Sequence, residues 1–272
     1  MSFSPERPLV LIGAGKMGGA MLAGWMARGV DPAAVLVVDP GPPPEIRELL
    51  SRHTIRLESA VPDGLKAGVL MLAIKPQMMD AVLGGLVGAV DGDTLVLSIA
   101  AGTPVARFEQ TFGKVAVTRV MPNTPAQVGR GMSVAFANTA TSAEQRATVD
   151  ELLAAIGASA WIAREEQMDA VTAVSGSGPA YVFYLVEAMA AAGARAGLDA
   201  DLAMQLARQT VCGAGELLFQ SELEAAELRR NVTSPKGTTE AALKVLMAED
   251  GIQPVFDRAV AAAKRRSEEL AG

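Results

Sequence analysis

The sequence predicts an α/β chain, a doubly wound parallel sheet followed by a domain made of helices alone. Three observations carry that expectation. Strand-like and helix-like stretches alternate through the first half of the chain. Two strand-like runs, Val69 to Ile74 and Leu95 to Leu97, are apolar throughout, as strands covered on both faces are. After about residue 165 no strand pattern competes, and long apolar helical repeats follow. The 272 residues divide most simply into two domains, 1–164 and 165–272, given roughly 100–200 residues per domain.

In the first domain, strands are expected at 8–12, 35–38, 69–74, 94–99, 115–120 and 132–137, with a short closing strand at 160–163. Helical periodicity falls at 16–28, 44–52, 77–89, 104–112 and 143–156. The run Pro42-Pro43-Pro44 is a stiff connection that starts a helix. The lone His53 follows that helix and reads as a surface cap residue. In the second domain helices are expected at about 180–196, 200–220, 224–230, 238–249 and 252–270. The helix from Tyr181 is apolar nearly all round, so it belongs inside a bundle or between subunits.

Composition narrows the function classes. Half of the residues are hydrophobic, and the formal net charge is −6 with no long basic block, which favours neither nucleic acid nor an anionic membrane surface. One cysteine, Cys212, excludes an intrachain disulfide and a cysteine-rich metal site. One histidine excludes a catalytic triad and a multi-histidine metal centre. The N-terminal residues lack a basic-then-apolar pattern, and every long apolar segment is interrupted by charge or glycine. A soluble cytoplasmic protein is expected.

The chemistry concentrates at six places. Gly13-Ala14-Gly15-Lys16-Met17-Gly18 lies between the first strand and first helix, the setting that a dinucleotide fingerprint requires. Gly13 permits the tight turn, Gly15 lets backbone approach a pyrophosphate, and Gly18 lets helix and strand pack. Asp39 ends the second strand, 21 positions after Gly18, where an acid holds a ribose 2′-hydroxyl and repels a 2′-phosphate. No base follows until Arg47, so the electrostatics favour NADH; an ordinary turn aspartate is the alternative. Ala73-Ile74-Lys75-Pro76 ends the strand at 69–74, where Lys75 either meets a phosphate or the cofactor edge, or is a solvated surface charge. Asn123, in Met121-Pro122-Asn123-Thr124-Pro125, can bind a carboxamide or belong to a plain proline-rich turn. Ser175-Gly176-Ser177-Gly178-Pro179 and Thr233-Ser234-Pro235-Lys236-Gly237-Thr238-Thr239 each precede a helix in the second domain. Each is an anion cradle or an ordinary hydroxyl cap, and two together suggest a small carboxylate substrate.

These same stretches resemble the pyrroline-5-carboxylate reductase family nearly end to end, most specifically at Ser175–Tyr181 and Val232–Thr239. The resemblance implies a Rossmann-type domain and a helical dimerisation and substrate domain. It implies homodimers that assemble further, often to decamers, and reduction of the cyclic imine 1-pyrroline-5-carboxylate to L-proline with NADPH or NADH. Carried over by position, Ser234, Gly237, Thr238 and Thr239 bind the substrate carboxylate, with Thr239 nearest the ring nitrogen and Ser177 and Gly178 bordering the pocket. Gly13, Gly15, Lys16, Met17, Gly18, Asp39, Ala73, Lys75, Pro76 and Asn123 make up the expected cofactor side. The family usually has glycine where this chain has Lys236, which leaves the backbone there open. A 3-hydroxyacid dehydrogenase-like enzyme and an NADH-binding sensor are the competing classes.

Overall fold

The computed structural model describes residues 3–271. Eight strands form one sheet: β1 (Leu9–Ile12), β2 (Val35–Val38), β3 (Arg56–Glu58), β4 (Val69–Leu72), β5 (Leu95–Ser98), β6 (Ala116–Met121), β7 (Gly131–Ala137) and β8 (Gly157–Trp161). Their order across the sheet is β3-β2-β1-β4-β5-β6-β7-β8, parallel throughout except between β6 and β7. β1 pairs with β2 on one side, Leu9 against Val35, and with β4 on the other, Leu9 against Val69. The order therefore reverses beside β1, and the carboxyl ends of β1, β2 and β4 open at that switch point.

Alternation explains how the sheet is covered. Leu9 and Leu11 face one side, where α1 (Lys16–Ala27) and α5 (Ala143–Ala154) supply Met21, Leu22, Trp25, Val149, Leu152 and Leu153. Val10 and Ile12 face the other, where α3 (Met79–Leu86) and α4 (Val105–Phe112) supply Met79, Leu83, Leu86 and Phe108. The Trp25 indole N–H donates to the Leu152 carbonyl at 3.0 Å, which ties α1 to α5. Two layers of helix on a central sheet leave β1, β2 and β4 buried along their full length.

Some expectations need correction. The sequence pattern does not predict β3, because Arg56-Leu57-Glu58 is an edge strand with one apolar residue, recruited by β2 with Leu36 against Arg56. The closing strand lies at Gly157–Trp161 rather than 160–163, and its register with β7 pairs Gly131 with Gly157. The helix expected at 77–89 is α-helical only over α3 and is flanked by 3-10 turns at Pro76–Met78 and Val87–Ala89. Gly84, Gly85 and Gly88 weaken α-helix there. His53 is the last residue of α2 (Pro44–His53), and Thr54 caps it with φ 57°.

The chain forms two compact units: residues up to Gly176 with the stretch from Lys264 onward, and Ser177–Ala263. A short α6 (Met168–Val171) and a π-helical turn, Thr172–Gly176, end the first stretch. The second unit holds α7 (Gly178–Arg195), α8 (Ala200–Gln220), α9 (Ala225–Asn231), α10 (Thr238–Leu246) and the start of α11 (Ile252–Ala271). Helices α7 and α8 pack closely where Gly193 meets Ala203, and the Asp199 carboxylate caps α8. Among the described residues of this unit, only Ala190, Ala203 and Ala207 are buried. Phe183, Tyr184, Leu217, Phe219 and Val245 are each more than half exposed. That is the surface of an unfinished core. Among the described residues, no helix is long and apolar enough to cross a membrane.

Candidate active site

The three fingerprint glycines do three different jobs. Gly13 has φ 87°, and a Cβ there would sit 2.9 Å from the Ala73 carbonyl oxygen. At Gly18 a Cβ would collide with the Gly13 carbonyl oxygen, so this glycine lets α1 pack onto the turn. At Gly15 a Cβ would meet nothing within 4 Å. The first two positions exclude side chains by packing, whereas Gly15 keeps its open side clear for a ligand. Gly15 is also the N-cap of α1, and no side chain caps that helix, so its first-turn N–H groups are open to an anion. Lys16 is exposed at the same end, and Met17 is half-buried beside it.

Asp39 stands where expected, one residue beyond β2. Its Oδ2 accepts the Ala14 N–H and its Oδ1 the Gly41 N–H, both at 2.8 Å. Arg47, the first base after it, donates through Nε to the Pro42 carbonyl at 2.9 Å. Ala73 continues β4, its N–H donating to the Ile12 carbonyl at 2.8 Å, and lies against Gly13 and Gly18. Lys75 is exposed at the start of the Pro76–Met78 turn. Gly13, Gly15, Lys16, Met17, Gly18, Asp39, Ala73, Lys75 and Pro76 therefore converge on the carboxyl edge of β1, β2 and β4.

Asn123, beyond β6, is committed within its own unit. Its Oδ1 accepts the Met132 N–H at 2.8 Å, and its Nδ2 donates to the Ser175 carbonyl and hydroxyl at 3.3 and 3.2 Å. It braces the π-helical turn against the start of β7. A buried Arg119 on β6 pairs with Glu165 at 3.0 Å, and the same carboxylate oxygen accepts the Val105 N–H that opens α4. The signal for this pair was an arginine inside an apolar strand, which needs a partner when buried.

In the second unit, Ser177 is the N-cap of α7, and Gly237 is the N-cap of α10. Neither helix start is capped by a side chain, so Ser177, Ser234 and Thr238 do not act as hydroxyl caps there. Gly178 opens α7, and Thr238 and Thr239 open α10, with Thr239 half-buried. The Gly237 N–H donates to the Ser234 carbonyl at 3.0 Å and closes a turn with Pro235 and Lys236 at its centre. Lys236 has φ 60°. A positive φ at the second central position marks a type II turn, where glycine is the default. The Lys236 N–H donates to the Glu240 carboxylate.

Comparison with known proteins agrees with this layout. Residues 165–270 match the family model described as pyrroline-5-carboxylate reductase dimerisation, and residues 8–102 match one described as NADP oxidoreductase, coenzyme F420-dependent. The pyrroline-5-carboxylate reductase of Pseudomonas aeruginosa is 43% identical over 264 residues, 97% of this chain and 96% of that protein. The enzyme of the same name from Synechocystis is 41% identical over 96% of this chain and 97% of its own. Among solved structures, a pyrroline-5-carboxylate reductase from Coxiella burnetii superposes with a TM-score of 0.89 at 32% identity, covering 98% of this chain and 99% of that one. The Plasmodium falciparum pyrroline carboxylate reductase, solved with NADP bound, gives 0.78 at 26% identity, with 98% and 99% covered. Nearly full-length identity to enzymes of one name, with both halves matched in order, shows that this chain belongs to the pyrroline-5-carboxylate reductase family.

Proposed function

We propose that the chain reduces 1-pyrroline-5-carboxylate to L-proline with a reduced nicotinamide cofactor, NADH in preference to NADPH. The observation that carries the cofactor half is the glycine turn at the switch point, shut by packing at Gly13 and Gly18 and open at Gly15. A pyrophosphate fits there against the uncapped start of α1. The bound nicotinamide supplies the hydride. The protein's part is alignment, because a protonated cyclic imine is already electrophilic and needs no strong acid from the chain. That requirement suits a sequence with one histidine, placed at the end of α2.

For the substrate, the reading takes the uncapped start of α10 as the carboxylate cradle, with Ser234, Gly237, Thr238 and Thr239 lining it. Thr239 orients the ring nitrogen, and Ser177 and Gly178 border the pocket. Lys236 adds a positive charge to this loop. On the cofactor side, Asp39 faces the ribose, Lys75 and Pro76 shape the edge, and Asn123 acts through the turn it braces. The preference for NADH rests on the Asp39 carboxylate and on the absence of a base between it and Arg47. The helical unit pairs two copies, and the pairs assemble to a decamer. The cytoplasm, where reduced nicotinamide is available, is the compartment this reading takes.

The test is steady-state oxidation of NADH and NADPH with pyrroline-5-carboxylate, with a 3-oxo acid as the control substrate. Turnover of the imine alone, with the larger kcat/KM for NADH, is the expected result. Activity on the 3-oxo acid, or binding of NADH without turnover, rejects the reading, and a larger kcat/KM for NADPH rejects its cofactor half.

A further inference from the structure

We infer that Asp39 is a positioning residue that holds the glycine turn in its cofactor-ready shape, in addition to facing the ribose. This rests on the reading of the switch point as a dinucleotide site. Ala14 is the middle residue of Gly13-Ala14-Gly15, and it is fully buried. The preceding Gly13 N–H is satisfied by backbone, donating to the Val38 carbonyl at 2.9 Å. The Ala14 N–H instead donates to a side chain, Asp39 Oδ2 at 2.8 Å. The other oxygen of the same carboxylate holds the Gly41 N–H, at the start of the proline-rich connection to α2.

One carboxylate thus buckles the β1–α1 turn to the β2–α2 connection. A buried N–H bonded to a charged acceptor is among the stronger local constraints, and one left without an acceptor is costly. An ionised carboxylate has about four acceptor positions, so two backbone bonds leave capacity for a ribose hydroxyl. The two roles therefore coexist on one side chain. The consequence concerns cofactor choice. Replacing Asp39 to admit a 2′-phosphate also releases the turn on which either cofactor's pyrophosphate rests, so both cofactors weaken.

The experiment uses the full chain with Asp39→Ala and Asp39→Asn, and 2′-deoxy-NADH as a probe lacking the hydroxyl that Asp39 would hold. Amide exchange at Ala14 is measured first, without cofactor. The buckle predicts about tenfold faster exchange at Ala14 in Asp39→Ala, the scale of one lost hydrogen bond to a charged group, with a smaller change in Asp39→Asn. Asparagine keeps one acceptor oxygen, so it rescues part of the effect. Affinity for 2′-deoxy-NADH then falls about tenfold in Asp39→Ala, and KM for NADH rises while kcat at saturation holds. Unchanged Ala14 exchange overturns the inference. So does a loss confined to NADH with 2′-deoxy-NADH binding intact, which would leave Asp39 a ribose contact only. Because the exchange measurement needs no cofactor, a wild type that binds no NADH would reject the proposed function, while Ala14 exchange would still decide the buckle.

Discussion

Phe183→Ala should separate the subunits. Phe183 lies on α7 and is 63% exposed, beside Tyr184 at 70%, in a unit whose buried side chains among the described residues are three alanines. Burying a phenylalanine fully is worth about 1.5–3 kcal/mol. The exposed share leaves about 1–2 kcal/mol to be gained against a second copy. A two-fold interface uses each patch twice, so the substitution weakens the dimer by about 2–4 kcal/mol. At about 1.4 kcal/mol per tenfold, the dissociation constant rises roughly 30- to 700-fold. Sedimentation equilibrium over a dilution series reads this directly, with Arg52→Ala, exposed on α2, as the control. Helical circular dichroism should fall along with dissociation, because α7 and α8 have little else to bury against. A wild type that stays monomeric at micromolar concentration, or a Phe183→Ala protein with an unchanged dissociation constant, refutes the reasoning.

Thr239→Ala should lower kcat/KM for pyrroline-5-carboxylate by about 10- to 100-fold, the scale of one lost polar contact, and leave NADH affinity in place. A wild-type kcat/KM would remove Thr239 from the site. Lys236→Gly should raise the thermal midpoint by about 1–4 °C, because glycine takes φ 60° without the steric penalty; a lower midpoint would show that the lysine side chain contributes more than its backbone costs. Asp91 is held down to about 2, chiefly by its hydrogen bonds to the Arg7 guanidinium, from an ordinary 3.8. A depressed carboxylate stabilises the fold fully above the ordinary value and loses that contribution as pH falls towards 2. The difference in stability between wild type and Arg7→Gln should therefore be on the order of 0.5–1 kcal/mol at neutral pH and vanish between about pH 4 and 2. A difference that persists at pH 2 in urea titrations would show that packing of Arg7, not its charge, is what matters.

The architecture and the outline of the candidate site were legible in the residues, because both depend on local chemistry. Short continuous apolar runs that alternate with helical patterns fit strands buried on both faces, and the spacing of Gly13, Gly15 and Gly18 after such a run places a turn against a helix start. The composition of α7 likewise called for burial, inside a bundle or between subunits, and Phe183 and Tyr184 are left exposed within one chain. Local chemistry did not reach β3, since Arg56-Leu57-Glu58 has no apolar pattern and owes its conformation to pairing with β2. Nor did it reach the bonds from Asn123 to Ser175 and from Arg119 to Glu165, which span 52 and 46 positions. Asp39 was placed at the strand end by the sequence alone. Its bond to the Ala14 N–H, across 25 positions, exists only because parallel pairing of β1 and β2 brings their carboxyl ends side by side. Residue type and local spacing determined which groups are present. Long-range pairing decided which of them share a hydrogen bond, because a bond between distant positions depends on where the rest of the chain holds its two ends.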